Sequence, residues 1–92
     1  MDKEKLEKAL KSIGKKSFVE DYEVYSKQKL ESAKRIEILS EKYSRNGAAI
    51  RVSFADDIFK HGKQREALKL IIESVRISAD IKLQASRLLM VK

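Results

Sequence analysis

Residues 48–60, AAIRVSFADDIFK, are the stretch that decides the fold. Placed on a helical wheel, the apolar residues of this stretch occupy more than half of the circumference. These residues are Ala48, Ile50, Val52, Phe54, Ala55, Ile58 and Phe59. A helix with so wide an apolar arc is expected to lie at the centre of a packed bundle. Ser53, Asp56, Asp57 and Lys60 occupy the remaining arc and are predicted to face solvent.

The sequence on the N-terminal side of this stretch predicts further helices. Leu6, Leu10 and Ile13 follow one another at helical spacing, and Gly14 directly after them is typical of a helix end. The pattern from Ser17 to Glu20 fits a capping box, which predicts a helix that starts at Ser17. The apolar stripe then fades over residues 26–29. One long helix over residues 17–44 or two helices that meet near residues 27–29 would fit, and the lost phase favours the break.

The C-terminal half is predicted to be helical as well. Asn46 is the expected N-cap of the central helix, which would run from Ala48 to Lys60. Composition predicts helix from residue 63 to about residue 91, with a division at residues 78–80. The sum is a single all-α domain over residues 1–92, a compact bundle of five or six helices.

Composition excludes several classes of protein. The 92 residues contain no cysteine, so a disulfide framework and a cysteine-based zinc site are excluded. No apolar run is long enough for a membrane span, and the charged start of the chain is unlike a signal peptide. We therefore expect no membrane contact and a reducing cytoplasmic setting.

The residues that could carry catalysis are few. His61 is the only histidine, and its position before Gly62 favours a role at the end of a helix. Asp56 and Asp57 are adjacent, so they point in different directions from a helix and do not form a carboxylate pair. The sequence thus predicts a non-enzymatic protein with no catalytic residue, no cofactor and no metal site.

Charge is the remaining functional signal. Lys and Arg number 21 against 14 Asp and Glu, which gives a net charge of +7. Such an excess favours polyanionic partners, nucleic acid above all. The excess is spread over the chain, but polar and basic side chains gather near two turns. The predicted nucleic-acid contacts are Arg45, Asn46, Arg51, Ser53, Lys63 and Arg65.

Two outline resemblances bear on the segment from about residue 37 to residue 76. Residues 39–43, a short turn and the helix from Ala48 resemble a helix-turn-helix, which implies that the second helix enters the major groove of DNA. The residues of its first turns would contact phosphates, with Arg51 or Ser53 reaching a base edge. Asp56 and Asp57 would oppose this by repelling phosphates. The pair of helices over residues 48–78 is instead similar to the helical hairpin of tetratricopeptide domains, which implies close packing and no particular ligand.

Arg51 allows two interpretations because it lies within the apolar arc of the central helix. An arginine there is expected either to extend past its apolar neighbours to solvent or to pair with a carboxylate such as Glu37 or Glu66. It could instead bind an anionic ligand at the start of the helix. The first interpretation is favoured, since buried arginines are usually paired.

The alternative function is a helical protein–protein interaction module or homodimer. The end of the chain is more apolar than the outer helix of a small monomer requires. The residues predicted to form this contact are Leu83, Leu88, Leu89, Met90 and Val91.

Overall fold

The computed structural model describes residues 1–91 and confirms the all-α prediction. Seven helices are present in this part of the chain, where five or six were predicted. They are α1 (Lys3–Ile13), α2 (Lys15–Glu20), α3 (Tyr22–Ser26), α4 (Ser32–Leu39), α5 (Arg45–Lys60), α6 (Gln64–Glu73) and α7 (Ala79–Val91). None of these helices has the length and apolarity that a membrane crossing demands.

Gly14 joins the first two helices. It has a φ of 92°, a region that side-chain-bearing residues rarely adopt, and its N–H donates to the Leu10 carbonyl (2.8 Å). The next helix begins at once, at Lys15. The predicted N-cap role of Ser17 is therefore wrong. Ser17 lies inside α2, where its hydroxyl is turned towards the core and hydrogen-bonded to the Tyr25 hydroxyl (2.8 Å).

The other helix boundaries follow the sequence more closely. The predicted break near residues 27–29 is confirmed, since α3 ends at Ser26 and α4 begins at Ser32. Asp21 adds a further break between α2 and α3, which raises the helix count. The predicted division at residues 78–80 lies at the end of the observed loop, residues 74–78, and the Ile81 N–H donates to the Ser78 hydroxyl (3.4 Å).

Helix α5 is the central element, as its apolar arc predicts. Its Ala48, Val52, Ala55 and Ile58 are buried, and it packs against both α1 and α4. Gly62, with a φ of 67°, allows the tight turn into α6. Helix α6 then packs mainly against α7, so α6 and α7 form a more closely packed hairpin than α5 and α6 do.

Four aromatic rings form the contact between the N-terminal helices and α5. Phe18 lies with its ring centroid 5.5 Å from that of Tyr22, 6.2 Å from that of Tyr25 and 6.1 Å from that of Phe59. Tyr22 and Tyr25 are both buried, so the two rings belong to the core. Burial raises the pKa of both tyrosines, to about 12 for Tyr25, because it disfavours the phenolate.

Candidate nucleic-acid interface

Helix α5 starts one turn earlier than predicted. Ser44 is its N-cap, and the Ser44 hydroxyl accepts a hydrogen bond from the Gly47 N–H (3.0 Å). The predicted N-cap role of Asn46 is wrong, because Asn46 lies in the first turn of the helix. The change places Arg45 and Asn46 on the helix itself, so their direction is fixed relative to the rest of α5.

One side of α5 is open to solvent over its whole length. Three predicted contact residues lie on it, Arg45, Asn46 and Ser53, and all three are exposed. Within residues 1–91, none of their side chains takes part in a hydrogen bond or ion pair. The same side carries Ile50, which is half exposed, and ends in Lys60. This row of residues is called the open side of α5 below.

The Arg51 guanidinium is held by contacts within the protein. Its guanidinium lies 4.0 Å from the ring centroid of Tyr43, Nε donates to the Ile13 carbonyl (3.1 Å), and Nη1 donates to the Gly47 carbonyl (3.2 Å). The prediction of a carboxylate partner in Glu37 or Glu66 is wrong. Backbone carbonyls and an aromatic face replace the carboxylate, because the end of α1 supplies unpaired carbonyls and Tyr43 covers the cation.

The packing around Arg51 also explains Gly47. A Cβ atom at this position would lie 2.9 Å from Arg51 Nη1 and 3.0 Å from the Ser44 hydroxyl oxygen. The first contact is shorter than real Cβ atoms show and the second is tight, so a larger residue would displace the guanidinium and crowd the cap. Glycine at this position therefore leaves room for the observed position of the Arg51 guanidinium.

We expect Arg51→Ala to lower the free energy of unfolding by about 1–3 kcal/mol, because it removes two hydrogen bonds and the stacking on Tyr43. Chemical denaturation followed by circular dichroism measures this. Arg45→Ala is the matched control and should change the free energy of unfolding by less than about 0.5 kcal/mol. Equal stability of the Arg51 variant and the wild type would contradict the supporting role of Arg51.

A network of polar side chains holds the segment before α5. The Asp21 carboxylate accepts hydrogen bonds from the Tyr43 hydroxyl (3.2 Å), Lys42 Nζ (3.4 Å) and the Ser17 hydroxyl (3.4 Å). Tyr43 in turn carries Arg51 on its ring. The network links α2 to the start of α5 and so fixes the orientation of the open side relative to the rest of the protein.

Arg35 and Asp56 form the main ion pair of the molecule. Arg35 is 3% exposed; Nη1 donates to Asp56 Oδ1 and Nη2 to Asp56 Oδ2 (3.2 Å). Arg35 Nε also donates to the Leu30 carbonyl (3.0 Å). Asp56 accepts further hydrogen bonds from Gln28 (3.1 Å) and Ser32 (3.3 Å). The prediction of a merely solvated Asp56 is wrong, whereas Asp57 is exposed as expected.

The second predicted cluster lies at the other end of α5. The helical rise puts Arg45 and Lys60 about 22 Å apart. Lys63 pairs with Glu66 (3.2 Å), and Arg65 Nη1 donates to the Leu89 carbonyl (3.0 Å). The six predicted contacts therefore form two groups, and in the second group the cations are already engaged.

Two further lysines, which the sequence pattern does not single out, lie near the C-terminal end of α5. Gln28 Nε2 reaches Asp56, which places the loop over residues 27–31 beside the last turns of α5. Lys27 and Lys29 on either side of Gln28 are exposed. They add positive charge near Lys60. Only the fold shows this proximity, because about thirty residues separate the two segments.

An open groove of about 640 Å³ runs between α4 and α5. Its lining mixes apolar residues such as Ile36 and Ala49 with Ser53, Asp57 and Lys60. Within the described chain, no three acidic or histidine side chains come close enough to hold a metal ion. His61 contacts the Asp57 carbonyl through Nδ1 (2.8 Å), which confirms its expected position at the end of its helix.

The predicted protein contact at the C-terminus is divided between two faces of α7. Leu83 is 51% exposed, Met90 87% and Val91 79%. Leu88 and Leu89 are partly buried against the core instead. The outward face of α7 is thus defined by the first three residues.

Comparison with known proteins gave no match to a family model, to a curated protein or to a solved structure. A function for this chain therefore has to rest on the geometry of its own residues.

Proposed function

We propose that the protein binds duplex nucleic acid, DNA in the first place, through the open side of α5. The observation that carries this proposal is the free and exposed state of Arg45, Asn46 and Ser53 along one side of a rigid helix. Arginine, asparagine and serine are side chains that donate to phosphates and to base edges. The proposed setting is the cytoplasm.

The electrostatics of the open side support this proposal. Asp56 would repel phosphates if it were free, but the buried Arg35 compensates its charge. Asp57 is the one exposed carboxylate of α5 within the described residues. Arg45 and Lys60 at the two ends of the helix outweigh it, and Lys27 and Lys29 add to the same sign.

The proposal assigns distinct roles to the residues. Arg45 and Lys60 would contact phosphates, while Asn46 and Ser53 would face the bases. Helix α4 would cross the backbone and α5 would enter the major groove, as in a helix-turn-helix. Arg51 and Arg65 would act indirectly, because both hold the protein together through backbone carbonyls.

We expect Arg45→Ala to weaken binding to a random-sequence DNA duplex by about five- to tenfold, the loss of one phosphate contact. Fluorescence anisotropy of a labelled duplex at low salt measures this. Lys82→Ala removes the same charge from α7, which packs against α6 and α2, and it should change the affinity by less than about twofold. Equal losses in the two variants would show that only the net charge matters and would contradict the assigned site.

A second candidate function is protein association through the outward face of α7. The exposure of Leu83, Met90 and Val91 favours it, since a small monomer gains nothing from three apolar side chains in water on one helix. This association could accompany duplex binding, because α5 and α7 use different faces.

A further inference from the structure

The outward face of α7 has the spacing of a helix-pairing seam. Leu83 and Met90 are seven residues apart. Ala79 precedes them and Ser86 lies between them, so the four residues follow one another at the alternating four- and three-residue spacing of a heptad. Ala79, Leu83 and Met90 are exposed, and Ser86 is half-buried. The seam thus alternates small and large residues along one side of the helix.

Two opposite charges flank this seam. Asp80 and Arg87 are also seven residues apart, so they lie on the same flank of α7, and both are exposed. Within residues 1–91, neither takes part in an ion pair with its own chain. The flank therefore carries a negative charge near one end of α7 and a positive charge near the other.

We infer that a second copy of this chain packs on α7 in the antiparallel direction, around a two-fold axis. The antiparallel direction sets Ala79 of each copy against Met90 of the other and Leu83 against Ser86, so large side chains meet small ones. It also sets Asp80 of each copy against Arg87 of the other, twice over. A parallel pair would instead set Leu83 against Leu83 and Met90 against Met90, and it would put Asp80 of one copy and Arg87 of the other on opposite sides of the contact, where they do not pair.

The size of the seam sets the expected strength. Helix α7 has 13 residues and spans about 20 Å, so the contact lies at the small end of specific interfaces. We therefore expect a reversible monomer–dimer equilibrium in the micromolar range. This inference rests on the second candidate function, association through α7, and is independent of duplex binding.

Charge reversal tests the direction and the partner together. Sedimentation equilibrium of the wild-type chain should show dimers, and the variants Asp80→Arg and Arg87→Asp should each dimerise about tenfold more weakly. An equimolar mixture of the two variants should regain wild-type association, because each unlike pair is then restored. Circular dichroism checks the fold of both variants, whose changed residues are exposed.

Leu83→Glu separates failure of the inference from failure of the candidate function. It should abolish self-association, since it puts a carboxylate into the seam. A wild-type chain that stays monomeric at every concentration overturns the second copy as the partner. Self-association that Leu83→Glu abolishes but the charge reversals leave unchanged overturns the antiparallel register, while association through α7 stands.

Discussion

Phe18→Ala is expected to lower the free energy of unfolding by about 3–5 kcal/mol, a large part of the stability of a domain of this size. Phe18 is fully buried. Its ring contacts two aromatic rings of α3 and one aromatic ring of α5. Removing the ring leaves a cavity that three helices surround. The cavity cannot close unless α2 moves against α5. The free-energy cost of the cavity therefore adds to the transfer free energy that is lost with the ring.

Chemical denaturation of Phe18→Ala beside Phe54→Ala tests this account. Phe54 is an equally large ring on α5, but it is only partly buried. Its loss should cost about half as much or less, since fewer contacts disappear. A Phe18 variant no less stable than the Phe54 variant would contradict the central position of the aromatic cluster.

Asp56→Ala is expected to lower the free energy of unfolding by about 3 kcal/mol, because it leaves the Arg35 guanidinium buried without its counter-charge. The loss also frees Gln28 and Ser32, which anchor the loop before α4 to α5. The loop carries Lys27 and Lys29, so the same substitution should loosen one end of the proposed interface. Thermal and chemical denaturation measure the effect.

The neighbouring Asp57 supplies the control for this substitution. Asp57→Ala also removes an aspartate carboxylate, but from an exposed position. It should therefore change the free energy of unfolding by less than about 0.5 kcal/mol. The double variant Arg35→Met with Asp56→Leu should recover most of the lost stability, since it removes both charges at once. A double variant as unstable as Asp56→Ala alone would contradict an electrostatic origin.

The sequence predicted the centre of the fold because one helix carried a decisive pattern. The apolar arc over residues 48–60 requires burial, and Ala48, Val52, Ala55 and Ile58 of α5 are indeed buried. Ile50 of the same arc is half exposed, so the buried part of the helix is narrower than the pattern predicts. The caps were harder to predict. Ser17 fits a capping box but is turned inwards to Tyr25, and Ser44 caps α5 in place of Asn46. Several residues near each boundary could cap, and tertiary contacts decide among them.

The candidate site was predictable where it depends on local spacing and not where it depends on distant contacts. Arg45, Asn46 and Ser53 are exposed on one side of a helix, a property that helical periodicity can predict. The acceptors of Arg51 are backbone carbonyls, which leave no mark in a sequence. The pairing of Arg35 with Asp56 joins residues 21 positions apart, so no local pattern indicates it.

The salt dependence of duplex binding tests the central claim most directly. Anisotropy titrations of the wild-type chain with a random-sequence DNA duplex at about 50 mM and about 200 mM salt suffice, with light scattering in the same buffers to give the oligomeric state. We predict binding at the lower salt concentration that weakens by at least about tenfold at the higher one, because several phosphate contacts release counterions. Absence of binding at the lower salt concentration, or an affinity that salt leaves unchanged, would contradict duplex binding through the open side of α5.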